Sequence, residues 1–546
     1  MNIIDFSIEK GKHISKNTNL NQQTWSDFEK EAFNKRVILF GGGACAGGYF
    51  KRYGDSLILE GAIDNDKRKQ GLCLDELIPE AFELEAGKTE ISDVSLLDLY
   101  NQDEIVIVIT STNFYEEIAL QLEQIGIKSY FVLLIMEANR RFSLNTELKS
   151  SDNEVLEKIQ FAEYCCQEKS INRKKIFFKA YGDYTDHGKY ITEALLKIRS
   201  DLDLVWAVTD LGTDVPEGVR KVFMGNWKRF IYEMETSIMW IFDLPVPEYV
   251  IKRQGQLYIQ TKHWSSITLK KFYLDASTFQ KVPEKIEVWK RERELIDHII
   301  TGSDFDTVSC RRGFEFQGEV LQYGSPRSDG LFHEKENRNK VYEYYHLKKN
   351  CKALIYAPTY RFSKEYGKTV PESRNVELNF ELIKNTLEKR FGGEWYILVR
   401  LHPSLANDFE KAGTPEFVID VSLYGDSQEL ISASDILISD YSSIMFEAAF
   451  VKKPVFLFAT DLQDYIANEY ELLIPYHELP FPVAESNEEL EQNILKLNLE
   501  SYKENVESFL DRYGVHEDGH ASDRTAAFIS DWIQKNEVKE CRLYRS

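Results

Sequence analysis

The feature that most constrains the fold of this chain is a repeated order of apolar strand, polar loop and amphipathic helix. Largely apolar runs such as Val37–Phe40, Asp203–Val208 and Val455–Phe458 are each followed by a glycine-rich or polar loop and then by a helical or mixed segment. Strands that lack polar alternation and alternate with helices are typical of parallel sheets covered by helices. The sequence therefore predicts an α/β fold built from several successive segments.

The composition excludes several classes of protein. Of 546 residues, 43% are hydrophobic and 29% are charged, which argues against a disordered or collagen-like chain. Acidic residues outnumber basic ones by 89 to 67, and the net charge of −22 argues against a nucleic-acid partner. The seven cysteines form no C-x-x-C pair, and no apolar run approaches the ~20 residues that span a bilayer. The sequence thus predicts a cytoplasmic location.

A glycine-rich loop follows the first predicted strand. That strand leads into Gly41, Gly43 and Gly47, and the second predicted strand ends at Asp64. In this order, glycines let backbone N–H groups approach a pyrophosphate, and an acid about 20 residues further on can bind a ribose. Residues 1–150 are therefore predicted to form a Rossmann-like module in which these four residues bind NAD or another nucleotide. A Rossmann-like module with a purely structural role is the alternative.

The end of the second strand carries a further resemblance. The run Asp64-Asn65-Asp66-Lys67, continuing to Gly71, resembles nucleotide-binding modules that are fused to bacterial surface-glycan enzymes. Strands at Glu104–Thr110 and Ser129–Leu134 complete the predicted sheet. The segment has no Tyr-x-x-x-Lys pair, so no redox reaction is predicted.

Two more α/β segments follow a polar helix, and they are predicted to span residues 151–315 and 316–546. Two Rossmann-like halves joined by one connection describe the GT-B architecture of nucleotide-dependent transferases. The predicted fold class is therefore α/β, a GT-B transferase with an additional N-terminal Rossmann-like domain.

Four loops of the last segment each follow a predicted strand. The carboxyl ends of parallel strands meet at one edge of a sheet, so we expect these loops to converge. Their arginine and histidine side chains are charge-assisted donors for phosphate oxygens, and their serines precede a helix. The sequence predicts a pyrophosphate site without a P-loop. The loops are Gly324–Asp329, Tyr356–Arg361, Arg400–Pro403 and Ser439–Ser443.

The stretches GSPRSD, LIYAPTYR, VRLHP and ISDYSSIMFEAAFVKKPVFLFATDLQDY resemble those of the CDP-glycerol glycerophosphotransferases, the teichoic-acid primase and polymerase family. The resemblance extends over about Ile176–Ile533. It implies transfer of glycerol phosphate or ribitol phosphate from a CDP-alditol to a hydroxyl of a glycan or lipid-linked acceptor, with release of CMP. The predicted donor-binding residues are Arg327, Arg361, Arg400, Asp440, Ser442, Ser443 and Glu447. The resemblance implies that Asp440 orients its loop and that Glu447, one turn into the following helix, accepts hydrogen bonds from the cytidine ribose; a solvated helix residue is the alternative for Glu447.

The acceptor side departs from the family pattern. Family members typically show a Q-T-W-H-G-T-P-L-K run, and this chain reads QTKHWSSITLK at 260–270. His263 keeps the place of the candidate general base, and Lys262 replaces tryptophan. The resemblance makes His263 and His402 the predicted catalytic residues, with His402 also holding the donor diphosphate. A structural pairing of His263 with a loop carbonyl is the alternative.

Other functions stay open at this stage. A GT-B glycosyltransferase that uses a CMP- or UDP-sugar fits the same donor loops, and so does a nucleotide-sensing scaffold without turnover. Cations beside apolar residues at Lys281–Arg293 predict a peripheral contact with the inner face of the membrane, for which a solvated helix is the alternative. Neither the acceptor, the alditol, the choice between primase and polymerase, nor the oligomeric state follows from the sequence.

The transfer is predicted to need no metal ion, because the D-x-D pairs lie away from the donor loops. We expect turnover of CDP-glycerol to CMP to be unchanged in excess EDTA. Loss of activity that only a divalent cation restores would contradict this prediction.

Overall fold

The structure, a computed structural model, divides into two compact units. The first comprises Met1–Phe177, Val205–Ile238 and Tyr249–Gln254, and the second Phe178–Leu204, Met239–Glu248 and Gly255–Ser546. The residues that the structure describes are 22–56, 59–127, 129–144, 151–277, 282–359, 361–365, 368–372, 378–401, 414–468 and 471–543.

The first unit contains a five-stranded parallel sheet with the order β3-β2-β1-β4-β5. Successive residues of β1 point to opposite faces, so Val37 and Leu39 join one buried cluster while Ile38 and Phe40 join another. Burial of both faces explains why this strand is apolar from Val37 to Phe40. The strands are β1 (Arg36–Phe40), β2 (Leu59–Ile63), β3 (Ile91–Ser92), β4 (Ile105–Ile109) and β5 (Tyr130–Val132).

The predicted strand Ser129–Leu134 is too long. The strand ends at Val132, and the helix Leu133–Leu144 begins at the next residue. The run Leu133–Met136 is buried within this helix. A short buried helical segment is as apolar as a buried strand, so periodicity does not separate the two. The other helices of this unit are Trp25–Ala32, Gly47–Tyr53, Leu74–Leu77, Tyr115–Gln124, Ser151–Glu168 and Trp227–Glu235.

Seven strands, β6 to β12, follow along the chain. Strands β6, β7 and β8 are neighbours in this order, and β9, β10, β11 and β12 are parallel neighbours in chain order. They are β6 (Asn172–Lys179), β7 (Asp203–Val208), β8 (Val219–Phe223), β9 (Ser237–Phe242), β10 (Leu257–Gln260), β11 (His298–Ile300) and β12 (Glu319–Leu321).

The second unit also holds a six-stranded parallel sheet with the order β17-β16-β13-β18-β19-β20. Strands β14 and β15, which follow β13 along the chain, form a separate antiparallel hairpin. The predicted α/β class with parallel sheets is confirmed. The strands are β13 (Lys352–Ala357), β14 (Arg361–Glu365), β15 (Lys368–Glu372), β16 (Trp395–Val399), β17 (Val418–Asp420), β18 (Ile436–Ser439), β19 (Val455–Phe458) and β20 (Val483–Ala484).

Helices of the second unit pack around these strands. Among the described residues, no helix is both long enough and apolar enough to cross a bilayer. The helices are Asp186–Ile198, Pro283–Leu295, Asp304–Gly313, Glu334–Tyr344, Phe380–Phe391, Ser427–Ala433, Ile444–Phe450, Leu462–Asn468, Asn487–Lys496, Leu499–Arg512 and Ala521–Leu543.

The first predicted donor loop is a helical turn. Pro326 opens a 3-10 helix that continues to Phe332. Within this turn, the carboxylate of Asp329 accepts hydrogen bonds from the backbone N–H of Ala521, at 3.0 Å, and of Ser522, at 2.7 Å. These groups begin the last helix and have no acceptor inside it. Asp329 therefore fixes the start of the C-terminal helix to the first predicted donor loop.

Replacing Asp329 with alanine leaves these buried N–H groups without their acceptor. We expect Asp329→Ala to lower the free energy of unfolding by about 1–3 kcal/mol, measured by urea denaturation. Asp531→Ala, at an exposed position of the same helix, is the matched control and should change stability little. Equal stability of the two variants would show that the cap contributes nothing.

Candidate functional site

A cavity of about 580 Å³ lies within the second unit. Described residues of all four predicted donor loops line it, together with the loop after β10. The carboxyl ends of β13, β16 and β18 reach its wall, because parallel strands end at the same edge of their sheet. The loop residues at the wall include Arg327, Thr359, Arg400, Ser442, Ser443 and His263.

Asp440 joins two of the loops. Its Oδ1 accepts hydrogen bonds from the Thr359 backbone N–H at 2.8 Å and from the Thr359 hydroxyl at 2.6 Å. The same oxygen accepts from the backbone N–H of Tyr441 at 2.5 Å. Asp440 thus fixes the loop that precedes Ser442 and Ser443. Both serines are half-buried and lie at the cavity wall.

Arg400 follows β16 and lines the same cavity. Its Nη1 donates to the carbonyl oxygen of Tyr424 at 2.8 Å and to that of Val421 at 3.4 Å. Burial lowers the pKa of this guanidinium, although the carboxylate of Asp426 opposes the effect. The main-chain carbonyls hold the guanidinium in place, so it is a fixed cation of the wall.

Arg327 is surrounded by acids. Its Nη1 lies 2.7 Å from Asp186 Oδ2, and its Nε lies 3.0 Å from Glu447 Oε1. Burial alone would lower the pKa of Arg327, but the two carboxylates raise it above its ordinary value. The sequence predicts that this arginine holds a diphosphate, yet its charge is already balanced by side chains of the protein. Its Nη1 also donates to the carbonyl oxygen of His263 at 3.1 Å.

Glu447 lies one turn into the helix Ile444–Phe450, as predicted, but its carboxylate is engaged. Oε2 accepts a hydrogen bond from Gln428 Nε2 at 2.8 Å, and Oε1 faces Arg327. Burial raises the pKa of Glu447, while Arg327 opposes the rise. Contact with a ribose stays a prediction.

His263 opens into the cavity from the loop after β10. The hydroxyl of Tyr273 lies 3.4 Å from its Nδ1. Burial removes water from the ring, and the positive charges of Arg327 and Lys262 also disfavour its protonation. Together these effects lower the pKa of His263 to about 4. The imidazole is therefore neutral near pH 7 and can accept a proton.

Buried polar residues hold the turn that carries His263. The ring of His187 lies with Nε2 3.0 Å from the carbonyl oxygen of Trp264, and burial lowers its pKa well below the ordinary value. Asp243 directly follows β9, and burial together with the charge of Asp186 raises its pKa to about 7. Sequence reasoning missed Asp186, His187 and Asp243. A signal was present for Asp243, because this polar residue directly follows the buried strand β9.

Two predicted residues cannot be placed. His402 lies outside the described residues, and so does the side chain of Arg361, whose backbone begins β14. Their predicted roles stay predictions.

The first unit has its own cavity of about 520 Å³, lined by Gly41, Gly43 and Asp64. Gly47 is not at its wall, and a Cβ there would lie 2.2 Å from Glu80 Oε2, so this glycine permits close packing. Asp64 Oδ2 accepts from the Gly42 N–H and from Lys69 Nζ, both at 2.8 Å.

The other oxygen of Asp64 accepts from the backbone N–H of Asp66 at 2.8 Å. Both oxygens of the acid expected to bind a ribose thus accept hydrogen bonds from the protein, and binding of NAD through Asp64 stays a prediction. Binding of another nucleotide stays a prediction.

A family model described as CDP-Glycerol:Poly(glycerophosphate) glycerophosphotransferase matches residues 161–531. The teichoic acid poly(glycerol phosphate) polymerase of Staphylococcus epidermidis is 29% identical over 387 residues, which cover 68% of this chain and 52% of that protein. The chain thus matches about half the length of this relative. The polymerase of the same name from Bacillus spizizenii is 28% identical over 365 residues, or 64% of this chain and 90% of that protein.

A solved structure of a teichoic acid polymerase is also similar to this chain. A variant of the wall teichoic acid polymerase TagF soaked with CDPG has a TM-score of 0.60 and 27% identity to this chain, covering 70% of this chain and 96% of the other. The predicted resemblance is confirmed.

The pKa of His263 can be measured without any substrate. With ring-labelled histidine, we expect NMR to show His263 still neutral at about pH 5.5, where an ordinary histidine is mostly charged. His263→Gln should remove this signal and so assign it. A midpoint at the ordinary value would contradict the desolvated, cation-flanked environment.

Proposed function

Because the chain belongs to the CDP-glycerol:poly(glycerophosphate) glycerophosphotransferase family, we propose that it transfers glycerol phosphate, or a related alditol phosphate, from a CDP-alditol to an acceptor hydroxyl in the synthesis of a teichoic-acid-like polymer, with release of CMP. One observation carries the proposal: four strand-end loops and a neutral histidine line one cavity in the matched region. The names of the relatives and the CDPG-soaked TagF crystal support the donor class.

The proposed step is a displacement at phosphorus. The acceptor oxygen forms a bond to the phosphorus that bears the glycerol, and the bond from that phosphorus to the bridging oxygen breaks. CMP leaves with the electron pair, and the acceptor proton passes to His263. A neutral imidazole contributes about 10²- to 10⁴-fold as a general base, and the remaining catalysis comes from positioning and charge.

The donor phosphates are proposed to contact the fixed guanidinium of Arg400 and the hydroxyls of Ser442 and Ser443. Asp440 orients this loop through Thr359. The predicted contact of Arg327 with the donor diphosphate stays a prediction, and a further role is proposed for this residue. Since Asp186 and Glu447 balance its charge, it shapes the wall and supports His263 through the carbonyl oxygen of that residue.

The finer architecture is part of the same proposal. Residues 151–546 are proposed to work as a GT-B transferase, with halves at 151–315 and 316–546. Residues 1–150 are proposed to be a Rossmann-like nucleotide-binding module, which the parallel strand order and the strand-end cavity support.

A cytoplasmic location with peripheral contact at the inner face of the membrane is also proposed. The helix Pro283–Leu295 supports it through its cations. Trp289 of this helix is buried and stacks on Tyr273 with ring centroids 3.5 Å apart, so it is unavailable to a lipid surface.

The test uses the purified full chain, CDP-glycerol labelled at the glycerol-bearing phosphorus, and a glycerol-phosphate oligomer. We expect labelled product and CMP. His263→Gln should lower kcat by about 10²- to 10⁴-fold and leave donor binding intact. Arg400→Gln should weaken donor binding by roughly 10- to 100-fold, because a charge-assisted contact is lost.

His520→Gln, at an exposed histidine of the same unit, is the matched control. Turnover of a CMP- or UDP-sugar, with no turnover of CDP-glycerol, would favour a glycosyltransferase. Binding of CDP-glycerol that Arg400→Gln weakens, in a protein that shows no turnover, would favour a sensing scaffold.

A further inference from the structure

A buried lysine stands beside the candidate base. Lys262 is fully buried, whereas the next residue, His263, opens into the cavity. The ammonium of Lys262 donates to the carbonyl oxygen of Trp264 at 3.1 Å and to that of Ser265 at 3.2 Å. A single side chain therefore closes the short turn that has His263 at its second position.

The backbone of Lys262 supports the same turn. Its φ of +55° lies in the left-handed region, which costs a non-glycine residue about 1 kcal/mol or more. Its N–H donates to Gln260 Oε1 at 2.8 Å, which anchors the turn to the end of β10. The contacts of the ammonium and of this N–H oppose the cost of the strained backbone.

Asp306 provides the counter-charge. Its Oδ2 lies 3.0 Å from Lys262 Nζ, with both side chains fully buried, and its Oδ1 accepts from the indole N–H of Trp264 at 3.2 Å. Asp306 is itself fixed, because its backbone N–H donates to Ser303 Oγ at 2.8 Å at the start of the helix Asp304–Gly313. A buried cation needs such a partner, since an uncompensated one is strongly destabilising.

We propose that Lys262 is a positioning residue for the transfer reaction, in which its ammonium closes the turn 262–265 and fixes His263 at the cavity wall. The proposal rests on the proposed function for the role of His263 as base. Lys262 stands where the family motif has tryptophan, so this chain uses an ion pair at a position that the motif fills with an aromatic ring.

The ammonium also acts on the imidazole through its charge. Burial comes first among the causes that lower the pKa of His263, followed by the charges of Arg327 and Lys262. The neighbouring titratable groups come from several elements, and two of them, Asp186 and Glu447, face Arg327. The groups around His263 are Lys262, Arg327, Asp243, Tyr273, Asp186 and Glu447.

The test replaces Lys262 with methionine. This change keeps a side chain of similar length and removes its charge and its hydrogen bonds. We expect kcat to fall by about 10- to 100-fold while the KM for CDP-glycerol stays unchanged, because the donor loops are untouched. We also expect the NMR titration midpoint of His263 to rise. If Lys262→Met does not fold, Lys262→Gln, whose amide still donates to one carbonyl, takes its place.

Lys453→Met is the matched control. Lys453 Nζ also donates to two main-chain carbonyls, those of Ser432 and Ser434, but it does not line the cavity. This control should lose stability without a change in kcat or in the His263 midpoint. An unchanged kcat and midpoint in the Lys262 variant would overturn the proposal. A rise in the midpoint in a protein that never turns over CDP-glycerol would instead refute only the proposed function.

Discussion

The pairing of one buried arginine with two carboxylates organises the cavity. Arg327 brings together the start of the helix Asp186–Ile198, the 3-10 turn after Pro326 and the helix Ile444–Phe450, because it contacts Asp186 and Glu447 at once. Removing one member of such a buried set leaves a charge without its partner, which costs about 3–5 kcal/mol. The positions of the surrounding groups, including the main chain at His263, depend on this set remaining complete.

This arrangement changes how the cavity would stabilise phosphate. The charge of Arg327 is balanced by two carboxylates, and Arg400 is held by two carbonyl oxygens. These two guanidinium groups are therefore fixed in position, and the hydroxyl groups of Ser442 and Ser443 lie at the same wall. Such preorganisation reduces the rearrangement needed when negative charge moves to the leaving group.

The sequence predicts the sheets and the meeting of the strand-end loops well, because burial of both faces and parallel direction leave few alternatives. It predicts partners poorly. Asp186 and Arg327 lie 141 residues apart in sequence, and no local pattern joins them. Asp64 shows the same limit, because its spacing fits a ribose ligand while its two oxygens accept from Gly42, Asp66 and Lys69. The predicted length of the strand at Tyr130 is wrong for another reason, because a buried helix can be as apolar as a strand.

The contact between Asp329 and the start of the last helix joins parts of the chain that are far apart in sequence. The helix Ala521–Leu543 starts against Asp329, and Ser530 accepts a hydrogen bond from Arg199 at 3.2 Å, at the end of a helix more than 300 residues earlier. The final segment of the chain therefore completes the packing of an early segment. Cutting the chain after residue 315 would therefore separate Arg199 from Ser530 and expose buried surface on both fragments.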